Sequence, residues 1–459
     1  MRVVLISTYE LGRQPFGLAS PAAWLRRAGA EVTCLDLSRE EFREAPIRTA
    51  DLVAFYVPMH TATRLAIPLI ETVRRLNPRA HLCFYGLYAP MNAEYLRKLG
   101  VQTILGGEFE EGLVRLFERL GESPGPAAPC AQPEPDVSLA RQQFVLPDRS
   151  GMPPLAQYAH LVMPEGDHRT VGYTEASRGC KHLCRHCPIV PVYNGVFRIV
   201  QRDVVLADIR QQVAAGASHI TFGDPDFFNG VGHGVAILEA LHREFPNLTY
   251  DVTIKIEHLL QHAGRLPLLR DTGCLFVTSA VESVDGSILA RLDKGHTRAD
   301  FVRVVQLFRE IGLTLQATFV PFTPWTTLAG YLELLDVLAE NDLVENVAPI
   351  QLGIRLLIPA GSRLLELPDV QRLIQPFEEN ALVYPWQHPD SRVDALCDEV
   401  QQLVHSADKL KWPRSKTFTR ICSAARAAAG ASPAIEQLWQ PPVLVSRAAI
   451  PYLNEPWYC

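Results

Sequence analysis

The 459-residue chain has no uninterrupted apolar run long enough to span a bilayer, no visible secretory leader behind Met1, and no long block of lysine or arginine. The first two absences make the cytoplasm the expected compartment, with no membrane partner. The third, beside a formal net charge of -6, argues against a protein held mainly on nucleic-acid phosphates or anionic lipid, so no nucleic-acid partner is expected. A chain of this length buries enough core to need no disulfide staples. Cys34, Cys83 and Cys274 lie in apolar, strand-like runs, where a thiol behaves as a small hydrophobe.

A fourth local thiol is missing as well, and that absence is the most informative. Cys180, Cys184 and Cys187 form a C-x-x-x-C-x-x-C run, and the next cysteine, Cys274, lies far downstream. A cubane iron-sulfur cluster normally takes four thiolates, so three leave one iron open. An open position marks a catalytic metal centre rather than a structural one. The competing readings are a plain redox cluster and a zinc knuckle. Zinc would need a fourth ligand at ordinary spacing, and His182 and His186 fall between the thiols, where they would crowd the same loop.

This run, with its lead-in Tyr173-Thr-Glu-Ala-Ser-Arg-Gly179, resembles the radical S-adenosylmethionine (SAM) family. In that family the three cysteines hold a 4Fe-4S cluster, and the amino and carboxylate groups of SAM occupy the fourth iron. His186 stands where the family usually has an aromatic residue, and the resemblance places it near the adenine.

The first 120 residues alternate apolar strands (3–7, 32–37, 52–57, 81–85, 101–105) with helical patterns. Five βα units of this kind predict a doubly wound parallel sheet. The sequence Gly106-Gly-Glu-Phe-Glu-Glu-Gly112 resembles the end of cobalamin-binding domains attached to radical SAM enzymes, which makes cobalamin a candidate cofactor. The same residues also read as ordinary turn and helix-start chemistry. The Asp-x-His-x-x-Gly loop of some cobalamin domains is replaced by Tyr9-Glu-Leu-Gly-Arg-Gln-Pro-Phe-Gly17. His60 follows the third strand and either faces such a ligand or caps the next helix.

The expected organisation is a cobalamin-binding-like Rossmann-type domain (1–120), a proline-rich linker and connector (121–165), a radical SAM core (166–369) and a C-terminal extension (370–459). The fold class is α/β, with the doubly wound sheet followed by a partial (β/α)6 TIM-type barrel. The resemblance nominates cofactor-binding positions on successive strands. Gly223 and Asp224 stand where the family binds the SAM amino group, and Glu282 and Ser283, followed by Lys294-Gly-His-Thr297, stand near its ribose or methionine. Alternation in Asp251-Val-Thr-Ile-Lys-Ile-Glu257 puts Asp251, Thr253, Lys255 and Glu257 on one inward face, with Lys255 and Glu257 chosen as contacts. Gln316 on a fifth strand and Arg355 on a sixth are further inward candidates.

The resemblance implies reductive cleavage of SAM to a 5'-deoxyadenosyl radical that abstracts hydrogen from a small-molecule or peptide substrate. The electron would come from a reductant such as flavodoxin or ferredoxin. The alternatives are a cobalamin-dependent radical SAM methyltransferase and a non-catalytic iron-sulfur sensor or electron carrier. No individual catalytic side chain is nominated.

The tail Ile450-Pro-Tyr-Leu-Asn-Glu-Pro-Trp-Tyr-Cys459, with Ser7–Gly12 and Pro58–Thr61, resembles a radical SAM family whose tail continues Cys-Sec or Cys-Cys, then Ala-Glu-Pro. Cys459 would then belong to a redox pair, which Cys422 either joins or leaves for the core. If the protein is a selenoprotein read short, the gene carries UGA directly after the Cys459 codon. Sequencing through that codon tests this, and a sense codon or another stop removes the idea.

Overall fold

The computed structural model describes residues 1–122, 134–430 and 447–455. Cys459 lies outside the described residues. The first five strands are β1 (Arg2–Ser7), β2 (Glu31–Asp36), β3 (Leu52–Tyr56), β4 (His81–Tyr85) and β5 (Thr103–Gly107). They form one parallel sheet in the order β2-β1-β3-β4-β5. Alternate side chains enter two separate cores, Val4, Ile6, Val53, Phe55 and Phe84 on one face and Val3, Leu5, Ala54, Cys83 and Tyr85 on the other. Burial on both faces is why these strands read as continuous apolar runs. A sixth strand, β6 (Val137–Ser138), joins the sheet beside β5 from within the stretch that the sequence assigns to the linker.

The second sheet is curled. Its strands are β7 (His160–Val162), β8 (His168–Thr174), β11 (His219–Phe222), β12 (Thr249–Thr253), β13 (Cys274–Glu282), β14 (Thr314–Phe319) and β15 (Tyr452–Leu453). A separate hairpin joins β9 (Ser177–Gly179) to β10 (Phe197–Ile199). The order β14-β13-β12-β11-β8 is parallel throughout, and β7 and β15 add antiparallel strands beyond β8. Ile220, Phe222, Tyr250, Val252, Val277, Val281, Leu315 and Phe319 face outward into the large core with the helices. The inward face is polar. His219, fully buried, contacts Asp251 Oδ1 at 2.9 Å and Thr249 Oγ1 at 2.8 Å, and Thr221 donates to the same Asp251 oxygen at 2.6 Å. The place of the sixth strand is taken by a one-residue parallel bridge between Phe322 and Arg355. Among the described residues no helix is long and apolar enough to cross a membrane.

Arg178, on β9, fastens the two sheets together. Its Nη atoms donate to Glu110 at 2.9 and 2.7 Å, its Nε donates to Glu175 at 2.6 Å, and Glu108 lies 3.5 Å away. The rings of Phe16, Phe109 and Phe144 stand 5.6, 5.1 and 5.0 Å from its guanidinium carbon. Glu108 and Glu110 come from the acidic segment after β5, so that segment serves as an interdomain clamp. Burial pushes the Glu108 carboxyl up to about 7, against the pull of Arg178. Breaking one side of such a group leaves uncompensated buried charge. Arg178→Met is therefore expected to lower unfolding free energy by about 3–5 kcal/mol, measured by denaturant titration, and a loss below 1 kcal/mol would show that the clamp contributes little.

Candidate active site

The three cysteines occupy the loop between β9 and β10. Gly179 opens it at φ +74°, and a Cβ there would lie 2.4 Å from both Val196 O and Tyr193 Cδ1, so only glycine fits. Asn229 braces one side, its Oδ1 accepting from Lys181 N at 3.1 Å. On the other side Arg185 N donates to Leu292 O at 2.9 Å, where the helix Gly286–Leu292 ends. Cys187 N donates to Cys184 O at 3.1 Å, folding the last turn.

All three thiols are free. Among the described residues the group of three or more ligand atoms lying within 4.8 Å of one another is His182, Asp226 and His258, so the three sulfurs do not converge that tightly. One zinc at about 2.3 Å from each sulfur would draw them to roughly 4 Å apart. The wider triad suits corners of a cluster. Burial pushes the Cys187 thiol up to about 12 and raises that of Cys180, so the thiolate forms need a bound metal charge to offset desolvation. The three cysteines therefore fit a 4Fe-4S cluster, and the loop supplies no fourth thiol.

Around the loop stand two groups of charged residues. His186 Nε2 lies 3.0 Å from Glu282 Oε1, which Lys294 Nζ reaches at 3.4 Å. Burial raises the Glu282 carboxyl, but Lys294 and His186 overcome this and hold it at about 2. Glu282 sits at φ +69°, a conformation costly for a non-glycine residue and common at functional sites. His296 is kept neutral by burial and then by Lys294 and Lys255, at about 4.

The second group starts at Lys255, whose Nζ is 3.0 Å from His182 Nδ1 and 3.2 Å from Glu257 Oε2. His182 Nε2 lies 3.4 Å and His258 Nδ1 2.6 Å from Asp226 Oδ2. Donation from the Lys255 ammonium to His182 Nδ1 leaves the ring proton on Nε2, pointing at Asp226. His182 Nε2, Asp226 Oδ2 and His258 Nδ1 are buried without a well-formed hydrogen bond among the described residues, and the three side chains are placed closely enough to hold a metal ion.

The nominated positions divide. Lys255, Glu257 and Glu282 sit beside the cysteine loop. Glu257 lies past the end of β12, in the helix Ile256–Gln261, with its side chain 45% exposed, so the inward alternation stops before it. Ser283 Oγ accepts from Asp285 N and turns the chain after β13. Gly223 lines the crevice between the two sheets, while Asp224 is committed to Ala176 N and Ser177 Oγ just before the loop. Gln316 faces the lumen and donates to Pro451 O at 2.7 Å. Arg355 is not brought to the site: it pairs with Asp394 at 2.6 Å and lies over the Trp386 ring. His60 contacts Ala381 O at 2.7 Å and does not line the crevice. Cys422 packs at the edge of the large core. Sequence reasoning missed His182, Asp226 and His258, which come together only in three dimensions.

The crevice between the sheets opens at the carboxyl ends of β1, β3 and β5, where doubly wound folds bind ligands. It holds about 220 Å³ and is lined by Tyr56, Met59, Gly86, Gly107 and Phe109 on one side and Glu175, Gly179 and Ile189 on the other. Tyr56 fills the floor, its ring packed against Gly17 where a Cβ would come within 2.1 Å. Among the described residues no histidine lines it, so a corrinoid would find no imidazole there and would meet the Tyr56 ring.

Residues 174–335 match the Radical SAM superfamily. Over 325 residues the chain is 25% identical to hopanoid C-3 methylase of Methylococcus capsulatus, covering 68% of this chain and 62% of that enzyme. The chain thus spans about three fifths of that relative's length. Among solved structures, the cobalamin-dependent SAM radical enzyme OxsB in its apo form superposes with a TM-score of 0.71, covering 93% of this chain and 72% of that one at 15% identity. The radical SAM methyltransferase TsrM of Kitasatospora setae, with tryptophan and a SAM analogue bound, gives 0.57, covering 74% and 71% at 19% identity. The fold is therefore that of a cobalamin-binding-like domain joined to a partial radical SAM barrel.

Anaerobically reconstituted Cys180→Ala, Cys184→Ala and Cys187→Ala are each expected to lose most bound iron and the visible cluster absorbance. Cys274→Ala, whose thiol is buried on β13, is expected to retain both. Equal iron content in all four variants would remove the assignment.

Proposed function

Starting from the chain's place in the radical SAM superfamily, we propose that it is an enzyme that cleaves SAM reductively and directs the resulting radical at a substrate bound in the barrel. The observation that carries this reading is the loop of three free, spread cysteines with no fourth, flanked by Lys255 and by the Glu282–Lys294 pair. Cys180, Cys184 and Cys187 would hold the 4Fe-4S cluster. When bound, the cluster and SAM together supply one-electron cleavage to a 5'-deoxyadenosyl radical that takes hydrogen from substrate.

The chain's own residues supply position and dryness. Asn229 and the Leu292 carbonyl fix the two sides of the loop. Lys255 and Glu282 offer one cation and one anion, which complement the carboxylate and ammonium of an amino-acid moiety. His186 holds Glu282 from the loop itself, tying that carboxylate to the cluster position. A small one-electron donor such as flavodoxin or ferredoxin would serve as reductant. The likeness to a methylase and the open crevice support a second reading, cobalamin-dependent methyl transfer.

With dithionite and SAM under anaerobic conditions, the wild type is expected to form 5'-deoxyadenosine and Cys184→Ala to form none. Corrinoid absorbance that stays with the protein through gel filtration would support the second reading. A reconstituted cluster that yields neither 5'-deoxyadenosine nor a methylated product with any candidate substrate would favour an electron carrier.

A further inference from the structure

The lumen of the barrel contains a cavity that the cluster chemistry does not use. It holds about 140 Å³ and is lined by Thr278, Gln316, Asn346 and Arg414, with Arg13 at one side. An apolar cavity of about 150 Å³ holds a benzene-sized molecule, so this one takes a small group of similar bulk. Its walls mix apolar side chains, among them Phe276, Ile350 and Val404, with amides, hydroxyls and guanidinium groups.

Arg414 is the unusual member. It is 8% exposed, and among the described residues no carboxylate comes within ion-pair distance of it. Its Nη1 donates to the Glu345 carbonyl at 2.5 Å, and its guanidinium lies 5.2 Å from the centre of the Tyr452 ring. One oxygen of the nearby Glu345 carboxylate accepts from Ala449 N at 3.2 Å, and the other is buried without a hydrogen-bond partner among the described residues. Burial pulls Arg414 down to about 10, a cost that nearby Glu345 only partly offsets. A buried guanidinium carries five donors, the Glu345 carbonyl takes one of them, and Arg414 lines the cavity.

The acidic residues of the lining are each engaged elsewhere. Asp251 is held by His219 and Thr221, Asp408 by Arg447 at 2.7 Å, and Glu455 by Arg39 at 3.5 Å. Three guanidinium groups and three carboxylates thus line the cavity, and Arg414 is a guanidinium with no carboxylate at ion-pair distance among the described residues. Arg13 lines both this cavity and the crevice beside the cysteine loop, so the two spaces meet at its side chain.

We propose that the lumen is a carboxylate pocket, in which the carboxylate end of a small polar molecule lies against Arg414 while the rest extends past Arg13 toward the cysteine loop. The planar fork of Arg414 suits a carboxylate, with Gln316, Asn346 and Thr278 completing the hydrogen bonding. That this molecule is the substrate rests on the radical reading above; the binding itself does not.

The test is a titration of the reconstituted full-length protein with succinate, at ionic strength held constant with sodium chloride, read as the thermal unfolding midpoint. Succinate is expected to raise the midpoint saturably, and Arg414→Gln to weaken the apparent affinity at least tenfold. If Arg414→Gln does not fold, Gln316→Leu and Thr278→Val are each expected to weaken it at least threefold. No saturable shift beyond chloride would overturn the proposal. So would stabilisation by inorganic phosphate in place of succinate, or unchanged affinity in the folded variants. Cys184→Ala is expected to keep the succinate response while forming no 5'-deoxyadenosine. A wild type that binds succinate but never cleaves SAM would remove the radical reading and leave the pocket in place.

Discussion

One buried guanidinium sets the relation between the two halves of this protein. Arg178 lies immediately before Gly179 and Cys180, and of its partners Glu108 directly follows the last long strand of the N-terminal sheet and Glu110 begins the next helix. The cysteine loop is therefore anchored to the other domain as firmly as to its own barrel. Three carboxylates and three aromatic rings around one cation make an arrangement with a single good geometry, because each partner left unpaired would be desolvated without compensation. Arg149 repeats the device on a smaller scale, reaching Asp208, Gln14 and the Tyr173 carbonyl from the connector.

That anchoring gives the crevice its form. Its two walls cannot separate without disturbing Arg178, so space for a large ligand has to come from side chains such as Tyr56 rather than from domain opening. The lumen is bounded just as firmly. Asp251 lines it and is held by His219 and Thr221. The side chain of Arg13 lines both the lumen and the crevice beside the cysteine loop.

The sequence made much of this legible because the signals were local. Both faces of β1, β3 and β4 are buried, so apolar runs located them to within a residue or two. The cysteine spacing identified the loop without reference to distant residues, and alternation placed Asp251 and Thr253 on the inward face. It did not locate the end of β12, because periodicity does not report where a strand ends and a helix starts: Glu257 lies in the next helix, although its Oε2 comes within 3.6 Å of His182 Nδ1 in the loop. It failed at Arg355, where the expected sixth strand shrinks to one bridge and the side chain is captured by Asp394 and Trp386. The contacts of Arg178 with Glu110, and of His182 with Asp226 and His258, join residues 68, 44 and 76 positions apart. No periodicity encodes such pairings. The motif Glu108-Phe-Glu110 was visible, but its role as a clamp depends on a strand from the other domain.

The strand β15 carries a consequence for how the molecule is made. It pairs with β7, and His160 N donates to Asn454, 294 residues later, while the Pro451 carbonyl is held by Gln316 from the opposite edge of the sheet. Domains form during synthesis in the order in which they emerge. The nascent barrel must therefore stand open on this side until the final stretch of described chain has been translated. During that interval its polar interior is accessible to water and to small molecules, and closure waits on the arrival of residues 451–454 rather than on the folding of the barrel strands.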